Sequence, residues 1–388
     1  MSRTTWKFSG LDTLFFREAR PMETVDGSVS QSVFPPPIRT LMGSIRTVLG
    51  EQNNINWQEF RKEKTNHKHY FLIGYGDDLN QLKFQGPWIS YHKQRIYPAP
   101  LNLMARFQGK NISELKFLEM GQAQACDLGN KVRLASLPKG FEGSKPLEQH
   151  WLKKEGFEAV LNGQVPKLDT IVSKDDLYIL EPRLGIARNI ELRTAADGML
   201  YQTCHLRLSP EVCIEVDVEG IPDDKVTKNT LITRLGAEGR LAEIEIDDKT
   251  PPAFPLSQTT GNRDGFIIYL MTPLRMESTT SWQPLPSFKS DESNGQTVWK
   301  GELAGLELQL ITSITGKTLR EGGWDMANDG PRAVQSLIPA GSAFYCTTEH
   351  DLQTVINTLH QQQIGNDQQL GRGTVAIGIW NQSPIPTS

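Results

Sequence analysis

Apolar residues recur along the chain with two spacings, and each predicts its own element. Between residues 37 and 49 the spacing is helical. Ile38, Leu41, Met42, Ile45, Val48 and Leu49 fall on one arc of a helix turning about 100° per residue. Arg39, Gly43 and Arg46 fall on the opposite side, with the glycine between the two arginines. Phe34-Pro35-Pro36-Pro37 stops any preceding strand, and Pro37 suits the first turn of a helix, where a missing N–H costs nothing. An apolar arc this wide needs a sheet beneath it, so a strand, a loop and this helix open an α+β sandwich. On the uncovered side, a glycine flanked by two guanidinium groups lets another molecule come close.

Alternation or short apolar runs predict strands at residues 5–8, 13–16, 212–218, 240–246, 266–271, 306–312, 342–346 and 374–380. Residues 70–73 and 79–84 read as a strand pair around Gly74-Tyr75-Gly76-Asp77-Asp78, and residues 95–103, with Pro98 and Pro100, as an extended edge. Strands at 176–180 and 200–208 bracket a turn-rich stretch over 181–198, and loops are expected over 18–31 and 281–296. A second helix is expected over 350–363, where Leu352, Val355, Ile356 and Leu359 repeat at helical spacing. Between about 104 and 172 the pattern weakens to one helix near 147–161, and this stretch reads as an insertion. No internal repeat is exact, but each half carries a sheet-plus-helix module. Strand, helix, glycine-rich turn and strand near the end suggest a ferredoxin-like unit. The expected division is 1–218, holding the insertion, and 219–388, with a glycine-rich loop at 365–373.

Composition bounds this picture. At 388 residues, 38% hydrophobic and 22% charged, the chain suits two globular units and not global disorder. A net charge of -4 argues against a general polyanion binder, yet allows one local basic groove. Cys126, Cys204, Cys213 and Cys346 are scattered without metal-ligand spacing and read as reduced thiols. Residues 1–6 lack the apolar core of a signal peptide, and no run reaches membrane-spanning length, so a cytoplasmic protein is expected.

Candidate chemistry is sparse. Asp77 and Asp78 in a hairpin turn resemble the metal-binding aspartates of a nucleotidyl transferase, but no third acidic residue is placed to join them, and turn chemistry alone accounts for the motif. His67, His69, His92, His150, His205, His350 and His360 are dispersed outside the arginine-bearing segments and read as surface or loop histidines. The stretch 365–373 lacks a P-loop lysine, and no serine sits in a nucleophile elbow. Three glycine- and arginine-bearing stretches remain: Glu181 to Arg188, Gly322-Gly323-Trp324-Asp325, and Gly371-Arg372-Gly373. Glycine lets backbone amides approach a phosphate and arginine forks bind one, though tight turns with solvated arginines account for the residues equally well.

Taken in order, these stretches resemble the RAMP superfamily, and within it the family formed by the third subunits of Cmr, the type III-B CRISPR RNA-targeting complex. Residues 11–21 resemble its opening strand and loop, residues 34–46 its proline-led helix with G-x-x-R, and Tyr97-Pro98-Ala99-Pro100-Leu101 the following extended segment. Residues 181–186 and Gly198-Met199-Leu200-Tyr201 are similar to a central signature. Leu235-Gly236-Ala237-Glu238-Gly239-Arg240 is similar to a G-G-E-G-R turn, with Ala237 in place of the second glycine. Residues 270–274, Gly323-Trp324-Asp325, 339–342 and Gly371-Arg372-Gly373 also fit, whereas the insertion at 104–172 carries no such motif.

The resemblance implies two ferredoxin-like (RRM-related) domains side by side, present once in a complex of antiviral defence. It implies a subunit that caps the 5′ repeat-derived handle of the guide RNA, between the large polymerase/cyclase-type subunit and a backbone RAMP subunit, and meets target RNA only indirectly. No catalytic residue, cofactor, metal or membrane is implied; the alternative is a metal-independent endoribonuclease of the same superfamily that processes guide RNA. The RNA contacts it implies are Arg39, Gly43 and Arg46 on the helix, Arg183 and Arg188 in an adjacent groove, and Arg240, Gly371, Arg372 and Gly373 at glycine turns. Arg17 and Arg20 lie before the helix, and Trp324 could stack on a base or sit in a core.

Overall fold

Trp6 and Phe8 are fully buried on alternate positions of the strand Thr4–Gly10 (β1), and this inward pair seeds the first core. The computed structural model describes residues 3–19, 29–188, 195–227, 230–257, 265–277, 282–293 and 295–380, with the backbone alone at 186–188, 195–200 and 293. The architecture is α+β, built mostly of antiparallel sheets with few helices. The chain forms two compact units that interleave in sequence. One comprises Met1–Lys93, Lys174–Pro251 and Arg320–Gln335, and the other Gln94–Ser173, Pro252–Leu319 and Ser336–Ser388. The expected boundary between 218 and 219 thus falls inside the first unit, and the expected insertion at 104–172 belongs to the second.

In the first unit the helix Ile38–Gln52 (α1) buries Ile38, Leu41, Met42, Ile45, Val48 and Leu49, the arc the periodicity predicts. Pro37 is its N-cap, one position before the expected site, and the Asn53 side chain closes its other end by donating to the Leu49 carbonyl at 2.8 Å. Beneath α1 lie β1, Lys83–Tyr91 (β2), Val212–Glu219 (β5), Leu231–Arg234 (β6) and Leu241–Asp247 (β7), in the order β2-β5-β1-β7-β6. Trp6 stands opposite Val216 on one side and Ile246 on the other, so three strands bury the same face. Burying each large apolar side chain contributes roughly 1.5–3 kcal/mol, which holds α1 down without any polar cap at its start.

A second sheet in this unit pairs Tyr178–Arg188 (β3) with Ala195–Leu208 (β4), and Val29–Ser30 adds to β4 in parallel. This corrects the turn-rich reading of 181–198. Glu181 and Arg183 alternate with Pro182 and Leu184 along β3, and Pro182 is tolerated because β3 is the edge of that sheet. Residues 70–73 are also corrected, from strand to the helix Tyr70–Ile73, which buries Leu72 and Ile73 before Gly74 ends it. A four-residue apolar run has no period to tell the two apart. Residues 13–16 make only isolated bridges at Leu14 and Phe15.

The second unit centres on the sheet Val375–Trp380, Gly265–Leu270, Ala343–Thr347, Leu306–Ile314, Gln296–Leu303, Gly129–Ser136, Glu119–Cys126, in that order. The helix Leu352–Leu359, capped by Asp351, packs Val355, Ile356 and Leu359 into its core. It is shorter than the expected 350–363. The stretch 104–172 contributes the strands Asn111–Phe117, Glu119–Cys126 and Gly129–Ser136, among others, and the helix Lys154–Leu161. Lys289–Ser293 is a strand where a loop was expected, paired with Gln296–Leu303. The four thiols are free. Among the described residues no helix is long and apolar enough to cross a membrane.

Candidate nucleic-acid interface

The arginines of α1 lie opposite its apolar arc, as expected, but that side is not free: the Arg39 side chain is 13% exposed and Arg46 is largely buried. Arg39 Nη1 donates to Asp77 Oδ1 at 2.8 Å and Arg46 Nη1 to the Gly76 carbonyl at 3.0 Å, so both engage the turn at 74–78. That turn closes on itself through Tyr75 N–H to Asp78 O at 2.8 Å and Asp78 N–H to Tyr75 O at 3.1 Å. Asp77 also accepts from Arg332 at 2.6 Å, and Arg332 reaches Asp325 at 3.3 Å. Asp78 accepts from the Tyr70 hydroxyl, which holds its carboxyl below the usual range. The aspartates of the turn are therefore acceptors for neighbouring donors, and among the described residues no three His, Cys, Asp or Glu gather as a metal site.

Arg39, Asp77, Glu321, Asp325, Asn328 and Arg332 wall a cleft of about 280 Å³. Burial, with Arg332 nearby, pushes the Arg46 guanidinium down to about 10, which still leaves it charged at neutral pH. Among the described residues, nothing outside the helix's own backbone lies within 4 Å of where a side chain at Gly43 would begin, so the approach expected there is open in this respect. In the strand Trp324–Asp325 it is Asp325 that lines the cleft, while Trp324 is 57% exposed and does not. The choice between core and stacking residue thus falls on the exposed side.

The second cluster grows from β3, β4 and the turn at 235–240. Gly236 has φ +82, and a Cβ there would lie 2.4 Å from the Phe15 carbonyl, so only glycine lets the turn close on that backbone. Ala237 N–H then donates to Phe15 O at 2.8 Å and Leu235 N–H to Arg240 O at 2.8 Å, which places Glu238 and Arg240 beside β4. Arg183 and Arg207 both reach Glu181 at 2.8 Å. Asp12 receives Arg207 at 3.0 Å, Arg183 at 3.4 Å and Arg240 at 3.7 Å. Hydrogen bonds from Arg207 and then Arg183 depress the Glu181 carboxyl. At Asp12 desolvation works the other way, but Arg207 and its neighbours win and hold it below the ordinary value.

His205 sits under this cluster and is a correction to the surface reading of the histidines, as are His67 and His360, all buried. It stacks on Phe15 with ring centres 4.9 Å apart and lies 3.1 Å from Thr13, Thr203 and Glu238. Burial, then the adjacent Arg240, pushes its pKa down, so it is a neutral core histidine. Asp12, Glu181, His205, Arg207, Glu238 and Arg332 were missed as site residues. Thr203, His205 and Arg207 alternate along 200–208, a signal that becomes readable only once 178–188 is known to be the partner strand.

The third expected cluster lies in the second unit and is closed. Gly371, Arg372 and Gly373 are buried, Arg372 at 2% exposure. The Gly371 carbonyl accepts from Thr272 at 2.6 Å and Thr374 at 3.0 Å, and Gly373 N–H donates to Pro273 O at 3.0 Å. Arg372 Nε lies 3.5 Å from Asp367, which Arg275 also reaches at 2.9 Å. These glycines bring chain to chain within the unit. Arg17 is exposed at an isolated bridge to Ser32. Arg20 and the side chain of Arg188 lie outside the described residues.

The family model described as CRISPR-associated protein (Cas_Cmr3) matches residues 6–380. No curated protein matches the chain. Among solved structures, the chain is similar to one in the type III-B Cmr-beta complex bound to cognate target RNA, at 15% identity, TM-score 0.49 and 96% coverage of both chains. A second, in the same complex with target RNA and AMPPnP, matches at 14% identity and TM-score 0.46, over 96% of this chain and 98% of that one. A chain of the Csm3-Csm4 subcomplex of the type III-A interference complex matches at 9% identity and TM-score 0.35, over 90% and 94%.

Proposed function

Because the chain belongs to the Cas_Cmr3 family of CRISPR-associated proteins, and so is a subunit of a type III CRISPR effector complex, we propose that it binds and caps the 5′ repeat-derived handle of the guide RNA. In this reading it is non-catalytic, works in the cytoplasm, bridges the large polymerase/cyclase-type subunit to the backbone RAMP subunits, and meets target RNA only through the assembly. Its two units are two ferredoxin-like folds: α1 over its sheet in one, the helix Leu352–Leu359 over its sheet in the other.

The observation that carries the RNA-binding part is the gathering of Arg183, Arg207 and Arg240 from three separate segments at one partly exposed place in an acidic chain. Arginine forks suit phosphate oxygens, and one such groove is all that a guide needs. Purifying the assembled complex with alanine at Arg183, Arg207 and Arg240 tests it. Guide RNA should be depleted from the complex, and unchanged loading would count decisively against the reading.

The endoribonuclease reading requires a histidine able to reach a 2′-hydroxyl. His205, the histidine nearest the arginines, is fully buried and hydrogen-bonded on both ring nitrogens. Incubating the purified chain with repeat RNA in the absence of metal should leave the RNA intact. Site-specific cutting abolished by a histidine substitution would replace this proposal with the nuclease.

A further inference from the structure

The three carboxylates among these arginines are not equivalent. Glu181 is fixed in the β3–β4 ladder opposite His205 and holds Arg183 and Arg207 at 2.8 Å each. Glu238 is tied to the buried His205 at 3.1 Å and stands 3.6 Å from Arg240. Each orients an arginine from a rigid support. Asp12 lies on the bend after β1, and its side chain is 52% exposed against 33% for Glu181 and 31% for Glu238. It alone is approached by all three guanidinium groups, at 3.0, 3.4 and 3.7 Å.

A single carboxylate is a poor match for three forks. Two of its three arginine contacts exceed ordinary hydrogen-bond length, and the Nε–H of Arg240 is buried without an acceptor among the described residues. Charge leads the same way. With Asp12 swung out, three guanidinium groups against Glu181 and Glu238 leave one net positive charge, which one phosphodiester neutralises. Arginine forks take phosphate oxygens in pairs, and phosphate contacts set position along a nucleic acid without reading its sequence. Resting on the RNA-binding reading above, we propose that Arg183, Arg207 and Arg240 form a cradle for one backbone phosphodiester of the guide RNA, and that Asp12 occupies it as an internal stand-in that the phosphate displaces.

The stand-in keeps three arginines ordered and discharged until RNA arrives, and it makes binding a competition. Removing it strengthens binding, the opposite of what losing an ordinary structural contact does. The test follows a 5′-hydroxyl single-stranded RNA carrying the handle, by fluorescence anisotropy with the purified full chain over a salt series. Asp12→Asn should bind about tenfold more tightly, equivalent to about 1.4 kcal/mol, and its salt slope should steepen by about 0.7. Arg207→Ala should weaken binding about tenfold. Asp12→Ser provides a second removal of the charge, and thermal melting identifies any variant that does not fold.

Unchanged affinity and slope in both folded Asp12 variants, with the arginine variants still weakened, would overturn the stand-in and leave the RNA-binding reading standing. Unchanged affinity in Arg183→Ala, Arg207→Ala and Arg240→Ala alike would remove that reading and the cradle together. Release of the RNA by millimolar inorganic phosphate would assign the cradle to free phosphate and overturn its assignment to RNA.

Discussion

The two units each contain arginines beside glycine turns, yet they use them in opposite ways. In the first, Arg183, Arg207 and Arg240 are 30%, 43% and 23% exposed and share carboxylates that are themselves in contact with solvent. In the second, Arg372 is 2% exposed, and the glycines on either side of it are buried against the chain's own backbone. The same local composition makes an accessible cluster in one place and an internal rivet in the other. What decides is whether the tertiary neighbours enclose the side chain, as they do at Arg372 and do not at Arg183, Arg207 and Arg240. The Gly371 carbonyl is claimed by Thr272 and Thr374, and Asp367 is claimed twice, so the loop at 365–373 closes on itself.

The sharpest way to break this contrast is Arg372→Ala. Asp367 keeps Arg275 when Arg372 is removed, so the cost is that of emptying a fully packed site, about 2–5 kcal/mol, and the variant should lose that much in a urea melt. An unaltered melt with weakened RNA binding would make Arg372 a contact like Arg183 and erase the difference.

The next effect is acid lability. Burial pushes His360 down to about 4, where its Nδ1 accepts the Ile377 N–H at 3.1 Å. Between pH 6.5 and about 4 the unfolded chain takes up a proton that the folded chain refuses. Stability is therefore full above 6.5, falls by about 3 kcal/mol down to about pH 4, and then levels. His205 acts in the same direction in the first unit, so the share due to His360 is read as the difference between urea midpoints at pH 7 and pH 5 in wild type and His360→Gln. Asp12, Glu181 and Asp78 follow the other schedule. Their depressed carboxyls add stability above the ordinary carboxylate range, and that stability is lost as pH falls through it.

Two glycines sharpen the comparison further. Gly373 has φ +64 and a Cβ there would lie 2.1 Å from the Ile364 carbonyl, so Gly373→Ala should cost at least about 1–3 kcal/mol. Gly43 is helical, and among the described residues nothing outside its own helix meets an added Cβ there, so Gly43→Ala should stabilise the chain by about 0.5–1 kcal/mol in the same melt. If RNA passes over α1, that stabilised variant will also bind RNA less tightly.

The sequence carried these differences unevenly. The helix Ile38–Gln52 is legible because its helical period coincides with its buried arc, and the strands Thr4–Gly10, Val212–Glu219 and Val375–Trp380 because β-branched and aromatic residues crowd short runs. The stretch 181–188 reads as turns because proline and glycine signal turns locally, whereas its strand is imposed by a partner about twenty residues away. Arg372 and Arg183 look alike in sequence, since burial is decided by the tertiary neighbours. The Asp12 contacts join residues 12, 183, 207 and 240, a proximity that no local window contains.

The smallest expected effect bears on the cleft beside α1, where Asp77 accepts from Arg39 and Arg332 and its side chain is 64% exposed. If this cleft resembles the accessible arginine cluster more than the buried loop, its ion pairs are solvent-screened and individually weak, at roughly 0.2–1 kcal/mol. Asp77→Asn should then change stability by less than about 1 kcal/mol, and a double-mutant cycle with Arg39→Ala should return a coupling in that same small range. Two arginines sharing one oxygen repel each other, which keeps the coupling of either with Asp77 low. The Arg46 guanidinium, already pushed down by burial and by Arg332, loses a favourable neighbour when Asp77 is neutralised, so the double variant with Arg46→Ala should recover part of the loss. A coupling well above 1 kcal/mol would place the cleft with Arg372 among the internal rivets. The accessible arginines would then be those gathered on Asp12 and not those of the helix.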